Sequence, residues 1–328
     1  MAVTMGIFKE DLKSFSEEQG VTAIVYALLK DGQLKKLDIE NKALDDLKNI
    51  FLNYIHDEIL LNDEMHLLTL SSADERGNVI YEYDLDFPED FNCINQVSDD
   101  KFPKPVFNNS KDDLGNIEAL VVEIGNEKRQ IVLYKTMANI NVFRQKSFIL
   151  GAVKTDRFER IDKDLLRVSP NFQFIKTNLG FFVLELKTLE KLFSFHTVIK
   201  KEATKSCSAI QDRSILENPE TLIELIEDIK FARKLVKIYK SSPVLLHSIP
   251  NSEIIKFCEH YPSLKGRVRF NEAKNKILLD TKVSKELFIK VLMDDYLTSE
   301  LTKLHYDTLA KNEFVELPEE SSDLLKSE

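Results

Sequence analysis

Apolar and polar positions along the chain predict strands in its first half and helices in its second. Residues 8–18 read as a short amphipathic helix, and Val21–Leu29 follows as a β-rich run. A turn at Asp31-Gly32 leads to a second strand over Gln33–Ile39, which makes a hairpin. From Asn41, apolar residues at Leu47, Ile50, Phe51, Tyr54, Ile55 and Ile59 recur at three and four, the spacing of a helix that buries one stripe. That stripe is expected to pack on the hairpin. Strands are expected at His66–Leu70 and Asn78–Leu85, then at Ile117–Ile124 and Arg129–Met137 about a tight turn at Gly125-Asn126. Between them, residues 86–116 hold Pro88, Pro103 and Pro105 among clustered Asp and Asn, and read as a long surface excursion.

Further strands are expected at Phe143–Val153, Arg157–Ile161, Phe172–Thr177 and Phe181–Leu186, the last two joined through Asn178-Leu179-Gly180. Beyond them the period changes to that of helices: Thr188 to about Ser206, Pro219–Tyr239, and Ser252 to about His260. Pro219 suits a first helical position, where a missing amide costs nothing. A hairpin around 271–275 and a helix over Ser284–Leu304 complete the pattern, ahead of an acidic tail from Glu313. The fold class is therefore α+β: an acidic, antiparallel β-rich N-terminal domain over residues 1–140, and a strand-then-helix domain over 141–328 with a basic helical section.

Composition narrows the chemistry. The chain has 328 residues, 43% hydrophobic and 30% charged, which suits one large or two moderate globular domains and excludes a disordered chain. Its nine glycines never fall close enough together for a GxGxxG or GxxxxGK phosphate cradle. Three distant cysteines, Cys93, Cys207 and Cys258, form no CxxC pair, which points to a reducing cytoplasm. The charged residues Lys9, Glu10 and Asp11 interrupt the N-terminus before a secretory leader can form, and no apolar run reaches the roughly 20 residues of a membrane helix. Histidines stand in no metal-ligand spacing, so neither a metal site nor a cofactor is expected.

The net charge of −10 argues at first against a phosphate-binding protein. Counted by segment, it resolves into −13 over residues 1–140, +10 over 141–290 and −7 over 291–328. In the basic middle, Lys230, Arg233, Lys234 and Lys237 fall at i, i+3, i+4 and i+7, which puts four cations on one helix face. Lys265, Arg267 and Arg269 alternate, so an extended backbone would set them on one side. Lys200, Lys201 and Lys205 form a third cluster near the end of the Thr188 helix. Such faces serve either as ordinary solvated surface or as a track for a nucleic-acid backbone. The apolar positions Leu222, Ile223, Ile226 and Ile229 lie on a different face from Phe231, Leu235, Val236 and Tyr239, so this helix either bends or buries two sides.

An enzyme reading rests on Glu185-Leu186-Lys187 after an apolar strand, since metal-dependent nucleases place a carboxylate and a lysine this way, with Asp162 or Asp164 as a further acid. ExK triplets also arise by chance in so charged a chain; Glu272-Ala273-Lys274 is another. Asp84 and Asp86 offer a possible cation site or simply an acidic strand end.

Three stretches carry a family resemblance: FRQKSFILGAVKTDRFERIDKDLLRVSP, FQFIKTNLGFFVLELKTLEKLFSFH and DDYLTSELTKLHYDTLAKNEF. With Leu189-Glu190-Lys191-Leu192-Phe193 opening a helix after a strand-turn-strand, and Ser299, Leu301, Thr302 and Tyr306 near the end, the chain from residue 141 resembles the KwaB family of Kiwa anti-phage defence subunits. Lys303 departs from the small residue usual there. The resemblance implies a cytoplasmic subunit that binds DNA with little sequence preference and blocks phage replication and late transcription, and the leading expectation is that it is not an enzyme. It also implies a homodimer and a membrane-embedded partner, KwaA, which would recruit the subunit to the inner face of the membrane without direct insertion. The alternatives are the nuclease using Glu185 and Lys187, and a protein-interaction scaffold that binds no DNA.

Overall fold

A computed structural model describes residues 3–16, 18–72, 77–87, 91–97, 99, 101–108, 110–138, 141–143, 149–154, 157–161, 163–299 and 305–307. The chain divides into two compact units, Met1–Glu202 and Ala203–Glu328.

The first unit contains α1 (Met5–Ser16), β1 (Thr22–Leu29), β2 (Leu34–Lys36), α2 (Asn41–Ile55), β3 (His66–Thr69), β4 (Val79–Glu82), α3 (Asn92–Val97), β5 (Ile117–Gly125) and β6 (Gln130–Thr136). It continues through β7 (Val142–Phe143), β8 (Ile149–Lys154), β9 (Arg157–Ile161), β10 (Leu165–Leu166), β11 (Phe174–Thr177), β12 (Gly180–Val183) and α4 (Leu186–Leu192). Eight of the described strands form one sheet in the order β2-β1-β5-β6-β11-β12-β4-β3. All its pairs are antiparallel except β3 with β4. The fold is α+β, with an antiparallel-dominated sheet.

Alternation along the strands gives the sheet two buried faces. Val25, Ala27, Leu120, Val122, Ile131, Leu133, Ile175 and Phe182 turn one way, where Phe8, Leu12 and Phe15 of α1 and Phe51 and Ile55 of α2 cover them. The expected packing of the α2 stripe on the hairpin is therefore present. Aromatic rings cover part of the opposite face: Phe91 stacks flat on Phe193 at 4.4 Å, and Tyr134, Phe174 and Phe181 surround them edge-on or tilted.

Three expectations for this unit change. Strands β11 and β12 belong to the main sheet, because Phe174–Lys176 pair with Val132–Tyr134 of β6 and Phe182–Val183 with Tyr81–Glu82 of β4. The two compact units meet at residues 202 and 203. The excursion over 86–116 holds α3, whose Cys93, Ile94 and Val97 are buried, so it supplies core as well as surface. The Thr188 helix is two helices, α4 and α5 (Phe195–Asp212), separated at Ser194, whose φ of 48° lies outside helical geometry.

Helix α5 runs into the second unit, which continues with α6 (Glu220–Leu225), α7 (Ile229–Ser241), α8 (Pro243–Leu246), α9 (Asn251–His260), β13 (Arg269–Phe270), β14 (Ile277–Leu278), α10 (Lys282–Leu292), β15 (Tyr296–Thr298) and β16 (His305–Asp307). Its helices bury Leu222, Phe231, Leu235, Ile254, Phe288 and Leu292. A capping box starts α10: Ser284 N donates to Thr281 Oγ1 and Thr281 N to Ser284 Oγ, each at 3.0 Å. Where one helix over Ser284–Leu304 was expected, α10 ends at Leu292 and Asp294 takes φ 53°, after which β15 pairs with β16. Leu301, Thr302 and the tail from Glu313 lie outside the described residues. No described helix is long and apolar enough to cross a membrane.

Candidate nucleic-acid interface

The four-cation stripe lies on α7, and the chain builds that helix in isolation from the one before it. The expected Pro219–Tyr239 helix is broken between Leu225 and Ile229. Asp228, with φ −84° and ψ 110°, leaves helical geometry and its carboxylate accepts from Lys230 N at 2.9 Å, which caps a new helix. The break settles the conflict between the two apolar faces: Leu222 and Ile226 bury in one direction, while Phe231, Ala232, Leu235, Val236 and Ile238 form the inner face of α7. Asn218 does not cap a helix. Its side-chain amide bonds both polar groups of the Leu279 backbone, at 3.0 and 2.9 Å.

Opposite the inner face, Lys230 and Lys234 are exposed, and Arg233 and Lys237 are half-buried. The Lys234 ammonium sits 5.3 Å from the Phe231 ring centroid, a cation–π contact that steadies it without neutralising it. Among the described residues no carboxylate lies within ion-pair distance of Lys230, Lys234 or Lys237. Lys240, exposed and one turn beyond Lys237, extends the stripe and was not among the residues singled out from sequence. Its i+3 spacing from Lys237 was the signal available. From Lys230 to Lys240 the stripe covers about 15 Å of helix at the usual rise of about 1.5 Å per residue.

The other clusters fare differently. Lys265 and Arg267 lie in consecutive turns, with Lys265 N bonded to Tyr261 O and Arg267 N to Leu264 O, both at 2.9 Å, and only Arg269 enters a strand. The extended backbone that would align these three is absent. Arg269 is also paired with Asp280 at 2.6 Å, and the Arg267 guanidinium donates to Ser263 O at 3.3 Å. Lys200, Lys201 and Lys205 fall within α5, well before its end at Asp212, so they do not complement a helix C-terminus. Lys201 pairs with Asp86 at 3.2 Å. Lys200 and Lys201 belong to the first unit and Lys205 to the second.

Glu185 occupies the position before α4 and Lys187 its first turn, both exposed. Asp164 is exposed and Asp162 lies outside the described residues. Asp84 is occupied by Ser71, accepting from its N at 2.9 Å and its Oγ at 2.5 Å, which gives the acidic strand end a structural role. No group of three or more His, Cys, Asp or Glu suited to a metal ion occurs among the described residues. All three cysteines are buried, and burial pushes the thiols of Cys207 to about 11 and Cys258 to about 12, so neither is a thiolate near neutrality.

The molecule is thus an α+β protein in which Lys230, Lys234 and Lys237 stand on one helix face, with no carboxylate within ion-pair distance among the described residues. A family profile described as Kiwa protein KwaB-like matches residues 114–302. Kiwa protein KwaB of Escherichia coli O55:H7 (strain RM12579 / EPEC) is 31% identical over 283 residues, covering 85% of this chain and 90% of that protein. The chain belongs to the KwaB family, and with it to Kiwa anti-phage defence. No solved structure matches it.

Proposed function

We propose that the chain is a cytoplasmic, non-catalytic effector that grips the DNA backbone with little sequence preference. In this reading it acts as a dimer alongside a membrane partner, KwaA, which brings it to the inner face of the membrane, and it blocks phage DNA replication and late transcription. The observation that carries the reading is α7: a buried apolar face fixes the helix, and its outer face holds Lys230, Lys234 and Lys237 clear of carboxylates. Such a row binds phosphates without reading bases, because phosphate contacts position a protein and carry no sequence information directly. The acidic first 140 residues then restrict which face DNA can approach.

Electrophoretic shift of a duplex at several salt concentrations tests this. Affinity is expected to fall steeply with salt for wild type, and the Arg233→Glu, Lys234→Glu, Lys237→Glu triple variant to bind at least tenfold more weakly with a shallower slope. A flat salt response in wild type would overturn the backbone reading. Plasmid held with saturating protein and Mg²⁺ or Mn²⁺ is expected to stay intact; cutting that Glu185→Gln abolishes would instead establish the nuclease.

A further inference from the structure

In the second unit, α8, α9 and α10 border a cavity of about 370 Å³ lined by Val244, His247, Glu253, Ile254, Phe257 and Asp294 among others. Its walls are held by bonds that need no occupant. Buried Ser242, just before α8, donates to Leu292 O at 2.5 Å and so ties α8 to the end of α10. The Arg213 guanidinium donates to Val244 O at 3.2 Å and to Ile249 O at 3.0 Å, which fixes the chain between α8 and α9. Arg213 does not itself line the cavity. The site is therefore preformed, as small binding sites usually are.

Most of the lining is apolar. Val244, Ile254 and Val291 are buried, whereas Phe257 is 37% exposed. The Phe257 ring is nevertheless held, with its centroid 4.9 Å from that of Tyr261 and 6.0 Å from that of Tyr296, both buried. It offers water a fixed aromatic surface that a partner would cover with gain. The charge in the lining has one sign: Glu253 and Asp294 are exposed carboxylates, and among the described residues no Lys or Arg lines the cavity. No cation lies within ion-pair distance of Glu253 among the described residues. On α9, Glu253 and Phe257 stand at i and i+4, so the acid and the ring are neighbours on one helix face.

We propose that this cavity seats one large apolar side chain of a basic amphipathic helix belonging to another protein, with Lys or Arg of that helix meeting Glu253 and Asp294. An apolar hole with an acidic rim is complementary to that chemistry. Nucleic acid does not suit it, because phosphates would face two carboxylates and no Lys or Arg. The chain's own tail, residues 313–328, does not suit it either, with six acids against one lysine. The α7 stripe of a second copy has the cations but keeps its apolar residues on the buried face. The volume, at the small end of the roughly 300–1,000 Å³ usual for ligand sites, fits a single anchor of the kind that dominates such interfaces.

Fluorescence anisotropy of a labelled amphipathic helical peptide of Leu, Phe and Lys, titrated with the full chain, tests this. Saturable binding of one peptide per chain is expected, and its loss when every Lys of the peptide is replaced by Glu or every Leu and Phe by Ala. Glu253→Lys is expected to weaken binding about fivefold, and about tenfold or more when combined with Asp294→Asn. Glu272→Lys, the same change of charge at an exposed turn of this unit, is expected to leave it unchanged. Asparagine suits the φ of 53° at residue 294, and unchanged thermal unfolding shows that the variants fold. Absence of binding up to the solubility limit of the chain, equal binding of the Glu peptide, or an equal loss in Glu272→Lys would each overturn the proposal. So would sedimentation of the peptide-free chain showing self-association that Glu253→Lys abolishes, since the cavity would then belong to a second copy.

Discussion

Lys135 stands on β6 in line with Ile131, Leu133 and Met137, on the face that forms the core, and is only 2% exposed. Its ammonium donates to Ser169 Oγ at 2.8 Å, Asn171 O at 2.7 Å and Asn171 Oδ1 at 3.0 Å, so all three protons are used and none meets a carboxylate. Burial lowers it to about 8 from 10.5. Between those values the unfolded chain binds more protons than the folded one, so the contribution of Lys135 to stability rises as pH climbs from about 8 to about 10.5 and is smallest below that window. Urea denaturation of wild type and Lys135→Met is therefore expected to show the wild type gaining on the variant between pH 7.5 and 9.5; parallel profiles would show the lysine titrating normally. Gly125 supports a second expectation. A Cβ there would press on Arg129 O and Gln130 Cα across the β5–β6 turn, backbone atoms that cannot yield cheaply. Gly125→Ala is expected to cost about 1–3 kcal/mol in the same measurement, while Gly77→Ala, with open space around it, stays within about 0.5 kcal/mol. The turn at Gly125-Asn126 was legible in the sequence because its chemistry is local: Asn126 Oδ1 accepts from Lys128 N at 2.9 Å and Arg129 N at 3.1 Å. Lys135 was not, since a lysine inside a strand pattern gives no sign of which segment will cover it.

Among the elements, α2 and the hairpins β1–β2, β5–β6 and β11–β12 follow from periodicity and turn residues, whose information lies within a few positions of each other. The helix breaks were harder to read. Apolar residues recur across Leu225–Ile229 at helical spacing, and only the change of buried face and the Asp228 carboxylate mark a new start. The parallel β3–β4 pair was equally hidden, because pairing direction depends on how the chain between them returns. The spacing of the α7 stripe gives one helix face, which Lys240 extends, whereas alternation over 265–269 gives a shared face only where the backbone is extended, and Lys265 and Arg267 lie in turns. If Asp228 sets the start of α7, Asp228→Ala is expected to lower stability by about 1 kcal/mol and Asp228→Asn by much less, as the amide oxygen still caps. Circular dichroism during urea unfolding reads both. Equal loss in the two variants would mean that the charge, not the cap, is what matters there.

At the scale of the molecule, the basic surplus does not coincide with one structural unit. Residues 141–202 carry 12 Lys and Arg against 7 Asp and Glu, and residues 203–290 carry 16 against 11, so the surplus of ten divides evenly at the boundary between units. Sequence counting locates where the basic segment begins, at residue 141, and composition carries no information on strands that return to a sheet. The division bears on how DNA is held. Each phosphate neutralised on a duplex contributes about 0.9 to the slope of log affinity against log salt. Replacing Lys230, Lys234 and Lys237 by neutral glutamine removes at most three such contacts and lowers the slope by no more than about 2.7. If cations of both units touch the backbone, the variant keeps a substantial slope between 50 and 200 mM salt, and further loss follows only when Lys200 and Lys201 of the first unit are also neutralised. If the slope instead collapses with α7 alone, that helix is the whole interface and the surplus in the first unit serves another contact. Filter binding of one labelled duplex by the wild type and the two variants separates these outcomes, since the quantity compared is a slope and does not depend on how much affinity each variant retains.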